Sequence, residues 1–276
     1  MFSTPITFLK FTPSGGGNDP DAQAYIDAVI AAGGTLSGTE ESAVNQLTLD
    51  FKAAGIYTKF DIFLPILGNT AASSKINLVE PSNATYDWDY VGTPVFSATG
   101  VLGNGTDAAM RSIWKMVDLV KADFGDAHWA SYQKYNSGSA YHFNGVLDTA
   151  GEYNKCGLGT FYYPGYGGAF NNDFAGSTFT DPDFNGLLYI DNNATNVKSY
   201  INNSFDVSSG AAGTYWNANA GNALLGLYWH SQPNHIYEYS TNEVRSFSVG
   251  SYLNATERTD YYNAITTYQT TLGRNV

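Results

Sequence analysis

Apolar and polar positions fall into two regimes along this chain, helical up to about residue 70 and mostly strand-like after it. Tyr25, Ile26, Val29 and Ile30 share one face at helical spacing, with Asp19 placed as N-cap, Pro20 at the first helical position and Gly33-Gly34 as the stop. Ser37 and Glu40 have capping-box spacing, and the helix they open carries Val44, Leu47 and Phe51 before Gly55. A third short apolar segment, IYTKFDIFLPILGN, is halted by Pro65 and Gly68. Helices this short need a surface to dock on, so 19–70 is read as a small helical module, preceded by an arm over 1–18. From about residue 71, HWASYQKY, AYHFNGVL, GLGTFYYP, GLLYIDNN, LLGLYWHS and SFSVGSYL read as short strands between Gly, Asn and Pro turns. Their spacing predicts a mainly β fold, an antiparallel β-sandwich or jelly roll over 71–276.

Two stretches break that pattern. TDAAMRSIWKMVDLVKADFG sets Met110, Ile113, Val117 and Val120 at helical spacing and is read as a helix, with a bulged strand pair as the alternative. NATERTDYYNAITTYQTTLGRNV carries a second capping box, Asn254 to Glu257, then an apolar stripe of Tyr261, Ile265, Tyr268 and Leu272, with Gly273 at C′. It predicts a closing helix over 255–272 that covers the sandwich.

Composition narrows the setting. Hydrophobic residues at 43% suffice for a real core, so a charged content of only 14% does not signal disorder. With 21 Tyr and 29 Gly, the surface is polar and largely uncharged, suited to neutral glycans or subunit contacts. A net charge of −12, without any Lys/Arg run, excludes sequence-independent binding to nucleic acid. No apolar run approaches membrane-spanning length. MFSTPITFLKFTPSGGG lacks a basic n-region and a small-residue cleavage site, so synthesis in the cytoplasm is expected. Cys156 is the single cysteine, which leaves no internal disulfide and no cysteine-based metal cluster.

Two separated stretches carry a family resemblance. DPDAQAYIDAV with ESAVNQLTLDFKAAGIYTKFDIFLPILG, and RSFSVGSYLNATERTDYYNAITTYQTTLGRNV, resemble the two ends of phage virion proteins, notably those of Bacteroidota phages. In that family a small helical module precedes a concanavalin-like (laminin-G-like) jelly roll, whose last strand runs into a closing helix. GVLGNGTDAAM, DAHWASYQKYNSGS and GLLYIDNNATNVKSYINNS are similar to its strands and hairpins, whereas GTFYYPGYGGAFNNDFAGSTFTDPDF departs from them. The resemblance implies a virion protein made in a bacterial host: a head fibre, spike or tail-tip component contacting other virion proteins. It implies a homo-oligomer, a trimer being favoured, with the 19–70 module attaching or oligomerising it. It implies no reaction.

The residues themselves offer three chemistries. Tyr162, Tyr163, Tyr166 and Phe170, with Trp216 and Trp229, could stack sugar rings of a bacterial surface glycan; the plain alternative is core or interface packing. Asp181, Asp183, Asn185 and Gly186 match positions 1, 3, 5 and 6 of a calcium loop. Asn192 stands where that loop needs its bidentate Glu, so calcium is the one cofactor to test, against a polar turn feeding the next strand. For catalysis there is no G-x-S-x-G, H-E-x-x-H or P-loop, and His128, His142, His230 and His235 are scattered. Carboxylate pairs leave no local signature, so Glu152, Glu238 and Glu243 are only nominal candidates. The N-x-S/T triplets at Asn83, Asn104, Asn193, Asn202 and Asn254 belong to turn chemistry. The expectation is a non-enzymatic virion protein with host-glycan adhesion. A purely structural decoration protein and a glycan-degrading virion enzyme are the rivals.

Overall fold

The computed structural model describes residues 17–122, 126–134, 142–147, 159–163, 166–170, 185–193, 196–209, 223–224, 226–229 and 235–276. Helices α1 (Pro20–Ala31) and α2 (Gly38–Ala53) start where their caps predict. Asp19 Oδ1 accepts from the Asp21 N–H at 3.0 Å, and Ser37 and Glu40 bond each other's backbone N–H as a capping box. Tyr25, Ile26 and Val29 are buried, whereas Ile30 is exposed and lies off the docking face. The third apolar segment is a 3₁₀ turn (Tyr57–Lys59) leading into strand β1 (Phe60–Leu64).

The next strands are β2 (Trp88–Val91), β3 (Val95–Phe96), β4 (Val101–Leu102), β5 (Ala109–Ser112), β6 (Asp126–Lys134), β7 (His142–Leu147), β8 (Gly159–Tyr163) and β9 (Tyr166–Phe170). Then come β10 (Gly186–Asn193), β11 (Asn196–Ile201), β12 (Ser204–Ser209), β13 (Ala223–Leu224), β14 (Gly226–Trp229), β15 (His235–Tyr239) and β16 (Glu243–Gly250). The chain closes on α3 (Ala255–Thr271), the helix expected there. Among the described residues the main sheet runs β12-β11-β10-β6-β16-β4-β3, and β1 also pairs with β16. A second sheet is ordered β13-β5-β2 and a third β15-β14-β7-β8-β9. All described pairings are antiparallel except β7 with β14. The architecture is therefore mainly antiparallel β, a sandwich backed by helices.

Period-two alternation sends the main sheet's side chains into two cores. Leu188, Ile190, Trp129, Phe247 and Val249 pack with Trp88, Met110 and Trp114 on the sandwich side. Leu187, Tyr189, Ala130 and Tyr132 pack with the helices on the other. The strand β1 serves both, Ile62 and Leu64 facing the sandwich, Phe60 and Phe63 the helices, across a register shift between Phe60 and Ile62. Aromatics dominate the helical interface: Phe51 stacks on Tyr261 at 5.8 Å and meets Phe63 edge-on at 5.0 Å. Gly250 stands opposite Phe60, and any Cβ there would strike the Lys59 carbonyl oxygen.

The helix expected over 106–125 does not form in its described part, 106–122. Its first part is β5, and a 3₁₀ turn covers Met116–Asp118. Met110 is buried, but Ile113, Val117 and Val120 are exposed at 63%, 58% and 81%, so the helical spacing corresponds to no buried face. A distant group sets this conformation. The buried Asp61 carboxylate accepts from the N–H groups of Val120, Lys121 and Ala122 at 2.7 to 3.0 Å, and from the Tyr86 hydroxyl at 3.1 Å. Three successive N–H groups donated to one carboxylate are three withheld from a helix.

Candidate functional site

The third sheet gathers most of the aromatics singled out in the sequence. Its register sets Tyr163 opposite Tyr166, Tyr162 opposite Gly167 and Gly159 opposite Phe170. Trp229 lies two strands away from that hairpin on β14, opposite Leu147 of β7 and His235 of β15. Tyr162, Tyr163, Tyr166, Phe170 and Trp229 thus belong to one five-stranded sheet, while Trp216 lies outside the described residues.

Asp181 and Asp183 also lie outside the described residues. Asn185 is exposed and its carbonyl accepts from Asn202 Nδ2 at 2.9 Å. Asn202 Oδ1 accepts the Leu187 N–H at 2.9 Å, and a Cβ on Gly186 would strike Asn202. That close approach gives the glycine a structural reason of its own. Among the described residues no group of three His, Cys, Asp or Glu side chains is placed to hold a metal ion. Turn chemistry likewise accounts for Asn83, Asn104 and Asn254. Asn104 Oδ1 accepts three successive N–H groups, Asn254 caps α3, and Asn83 takes a positive φ and bonds Lys75 O.

A second site emerges only in three dimensions, where the β11–β12 hairpin meets the first turns of α3. Asn202 and Asn203 turn the hairpin with φ of 49° and 64°, a conformation Asn adopts readily. This sets Tyr200 and Phe205 in edge-on contact, ring centroids 5.7 Å apart, with Phe205 57% exposed. The Arg258 guanidinium lies 3.6 Å above the Tyr200 ring. Its Nη1 is 3.5 Å from Asp191, and its Nε donates a long 3.4 Å bond to Asn203 Oδ1. Asn203 Nδ2 in turn donates to Thr259 Oγ1, also at 3.4 Å.

The electrostatics of this corner are unusual. Asp191 is fully buried, yet neither carboxylate oxygen receives a well-formed hydrogen bond. Burial raises its pKa from 3.8 to about 6, although Arg258, Lys198 and the Tyr200 hydroxyl favour the ionised form. Directly across the β6–β10 pair sits His128, whose pKa burial depresses to about 4. The neutral ring has one consistent arrangement of protons. Nδ1–H donates to Ser251 O at 2.6 Å, Nε2 accepts from Ser248 Oγ at 3.2 Å, and Tyr261 O–H donates to that same Oγ at 2.9 Å. Sequence reasoning missed Asp191, Tyr200, Phe205 and Arg258, because three separated segments supply them. One signal was present: Arg258 continues the Tyr261, Ile265, Tyr268 stripe toward the N-terminus, and a cation on a buried face needs a partner.

Glu243, a nominal catalytic carboxylate, is buried and paired with Arg245 at 3.0 Å. The structure of Glu152 and the side chain of Glu238 lie outside what is described.

No family model matches the sequence, and no curated protein matches it. Solved structures do. Trypanosoma rangeli sialidase in complex with the inhibitor DANA superposes with TM-score 0.53 at 11% identity, over 82% of this chain and 38% of that one. The same sialidase with 2,3-difluorosialic acid, a covalent intermediate, gives 0.51 at 10%, over 82% and 39%. The receptor-binding domain of botulinum neurotoxin C/D mosaic serotype gives 0.47 at 11%, over 75% and 52%. The chain spans about two fifths of the sialidase, and at this identity the likeness is one of β-sandwich fold alone. Fold and site define a helix-backed β-sandwich with aromatic hairpins.

Proposed function

We propose that this protein is a phage virion surface component, a fibre, spike or tail-tip element, that adheres to bacterial surface glycans. The virion setting rests on the sequence resemblance, and the observation that carries adhesion is the gathering of Tyr162, Tyr163, Tyr166, Phe170 and Trp229 in one five-stranded sheet. Flat rings with hydroxyls, in a chain only 14% charged, suit repetitive neutral saccharides that offer apolar ring faces and many hydroxyl groups. Individual contacts of this kind are weak, and many copies on one particle convert them into firm attachment. The reaction-free reading draws support from Glu243, which is committed to Arg245 inside the protein. The sialidase likeness supports the sandwich as a scaffold and lends no site residues.

Glycan arrays and host envelope extracts test the proposal. Binding should fall at least tenfold in Tyr163→Ala and in Tyr166→Ala. No binding of the unmodified protein to any host extract would sink it. Burial of the 162–174 segment against a neighbouring subunit in the particle would favour the decoration role instead, and release of reducing ends from host polysaccharide would establish an enzyme.

A further inference from the structure

We infer that the corner formed by the β11–β12 hairpin and the start of α3 is a separate subsite for one neutral pyranose ring. This rests on the adhesion reading for the class of ligand only; the residues belong to a different sheet from the Tyr163–Tyr166 hairpin.

Three features lead to it. Phe205 is the platform: its ring is exposed, and Tyr200 holds it from below at 5.7 Å, so stacking a sugar on it costs little ordering of the protein. Around it stand groups with hydrogen-bonding capacity in reserve. Arg258 is held at 3.4 and 3.5 Å by Asn203 and Asp191, and Asn203 reaches Thr259 at 3.4 Å. The capping bonds of the same helix, by contrast, are 2.9 to 3.1 Å. Contacts this long are easily exchanged for better ones.

The third feature is the carboxylate of Asp191. Its two oxygens are buried and form no well-aligned hydrogen bond, so the long Arg258 contact at 3.5 Å, with Lys198 and Tyr200 nearby, returns only part of its lost solvation. Arg258 covers it while resting mainly on the Tyr200 ring. A small outward shift of Arg258, whose side chain already has 13% of its surface exposed, would open Asp191 to a pair of sugar hydroxyls. The guanidinium would then donate to the ring or anomeric oxygen while Phe205 takes the apolar ring face. Arg258 and, directly across the β10–β11 pair, Lys198 both face the one carboxylate, while the chain as a whole has a net charge of −12 and repels polyanions. A neutral pyranose suits the exposed Phe205 ring and the low charge content of the chain.

The test is saturation-transfer and titration NMR on the full chain with glucose, galactose, mannose and N-acetylglucosamine, each as the free monosaccharide. At least one should bind in the millimolar range. Phe205→Ala, at an exposed position, should weaken it at least tenfold. Asp191→Asn, which keeps shape and removes the anionic acceptor, should weaken it at least fivefold. An unchanged dissociation constant in either variant, or no transfer to any of the four sugars, overturns the inference. Its failure is distinguishable from failure of the adhesion proposal. Glycan-array binding lost in Tyr163→Ala but intact in Phe205→Ala leaves adhesion standing without this subsite. Monosaccharide binding that depends on Phe205, with no binding to host extracts, does the reverse.

Discussion

Asp191 and His128 face each other across one strand pair, and burial moves their ionisation in directions that oppose in stability. The folded pKa of Asp191, about 6, lies above its ordinary value of 3.8. The folded state therefore binds the proton more tightly, and as pH falls from about 6 to 4 it gains up to roughly 3 kcal/mol relative to the unfolded chain. His128 has a folded pKa of about 4 against 6.5, so it takes its proton only after the unfolded state has done so. Over nearly the same interval it withdraws a similar amount, roughly 3 kcal/mol. Their sum should leave thermal stability nearly level between pH 6.5 and 4. Asp191→Asn is expected to raise the melting temperature at pH 7 and to uncover a steep decline below pH 6. Equal slopes for the variant and the parent protein would refute this compensation. Neither residue announces itself in sequence: Asp191 lies inside the apolar run GLLYIDNN, and a lone histidine in a strand says nothing of its surroundings.

The element easiest to read from sequence was α3, because caps and periodicity are local. Its capping box is present, and Tyr261, Ile265 and Tyr268 are buried against the sheet, with Leu272 packed at the margin of the same core. The role of the last three residues was not legible. Arg274 is fully buried, donating to Ile66 O, Pro65 O, Gln269 Oε1 and Arg245 O, while Arg245 donates back to Arg274 O. Asn275 and Val276 both bond the Tyr132 hydroxyl. The helix is thus secured by a stripe and by a clasp beyond its C-cap. Leu272→Asp should cost about 1–2 kcal/mol by placing a charge at a half-buried margin. Arg274→Ala should cost more, about 3 kcal/mol, because it strands several buried carbonyls. Chemical denaturation would check both, and a Leu272→Asp variant with unchanged stability would argue against docking. The segments misread, 106–125 and 60–64, have conformations set by distant partners, Asp61 for the first and β16 for the second. Local spacing carries no trace of either.

For the whole molecule, the β-rich class was legible in turn residues and period-two runs, but the sharing of one sheet by helices and sandwich was not. Phe60 and Phe63 of β1 belong to the helical core and Ile62 and Leu64 to the sandwich core, within five consecutive residues. Loss of one core should therefore carry the other with it. Far-ultraviolet helix signal and near-ultraviolet aromatic signal are expected to disappear in one transition of common midpoint. Two separated midpoints would show that the layers fold independently. The candidate sites divide along the same line. A tyrosine-rich hairpin is visible in a string of letters, whereas a corner built from β10, β11, β12 and α3 needs the topology first.

The placement of β16 bears on how the protein is made. This strand is buried along its whole length and occupies the middle of the main sheet, between β6 on one side and β4 with β1 on the other. Its partners emerge from the ribosome long before it does. At typical synthesis rates of about 5–20 residues per second, β1 waits roughly ten seconds or longer, its edge unpaired, until residues 243–250 arrive. Closing such distant pairings is slow, and the waiting hydrophobic edge is where nascent chains associate wrongly. Assembly of this sheet thus waits on residues 243–250, and the yield of folded protein should be sensitive to conditions that protect the incomplete chain.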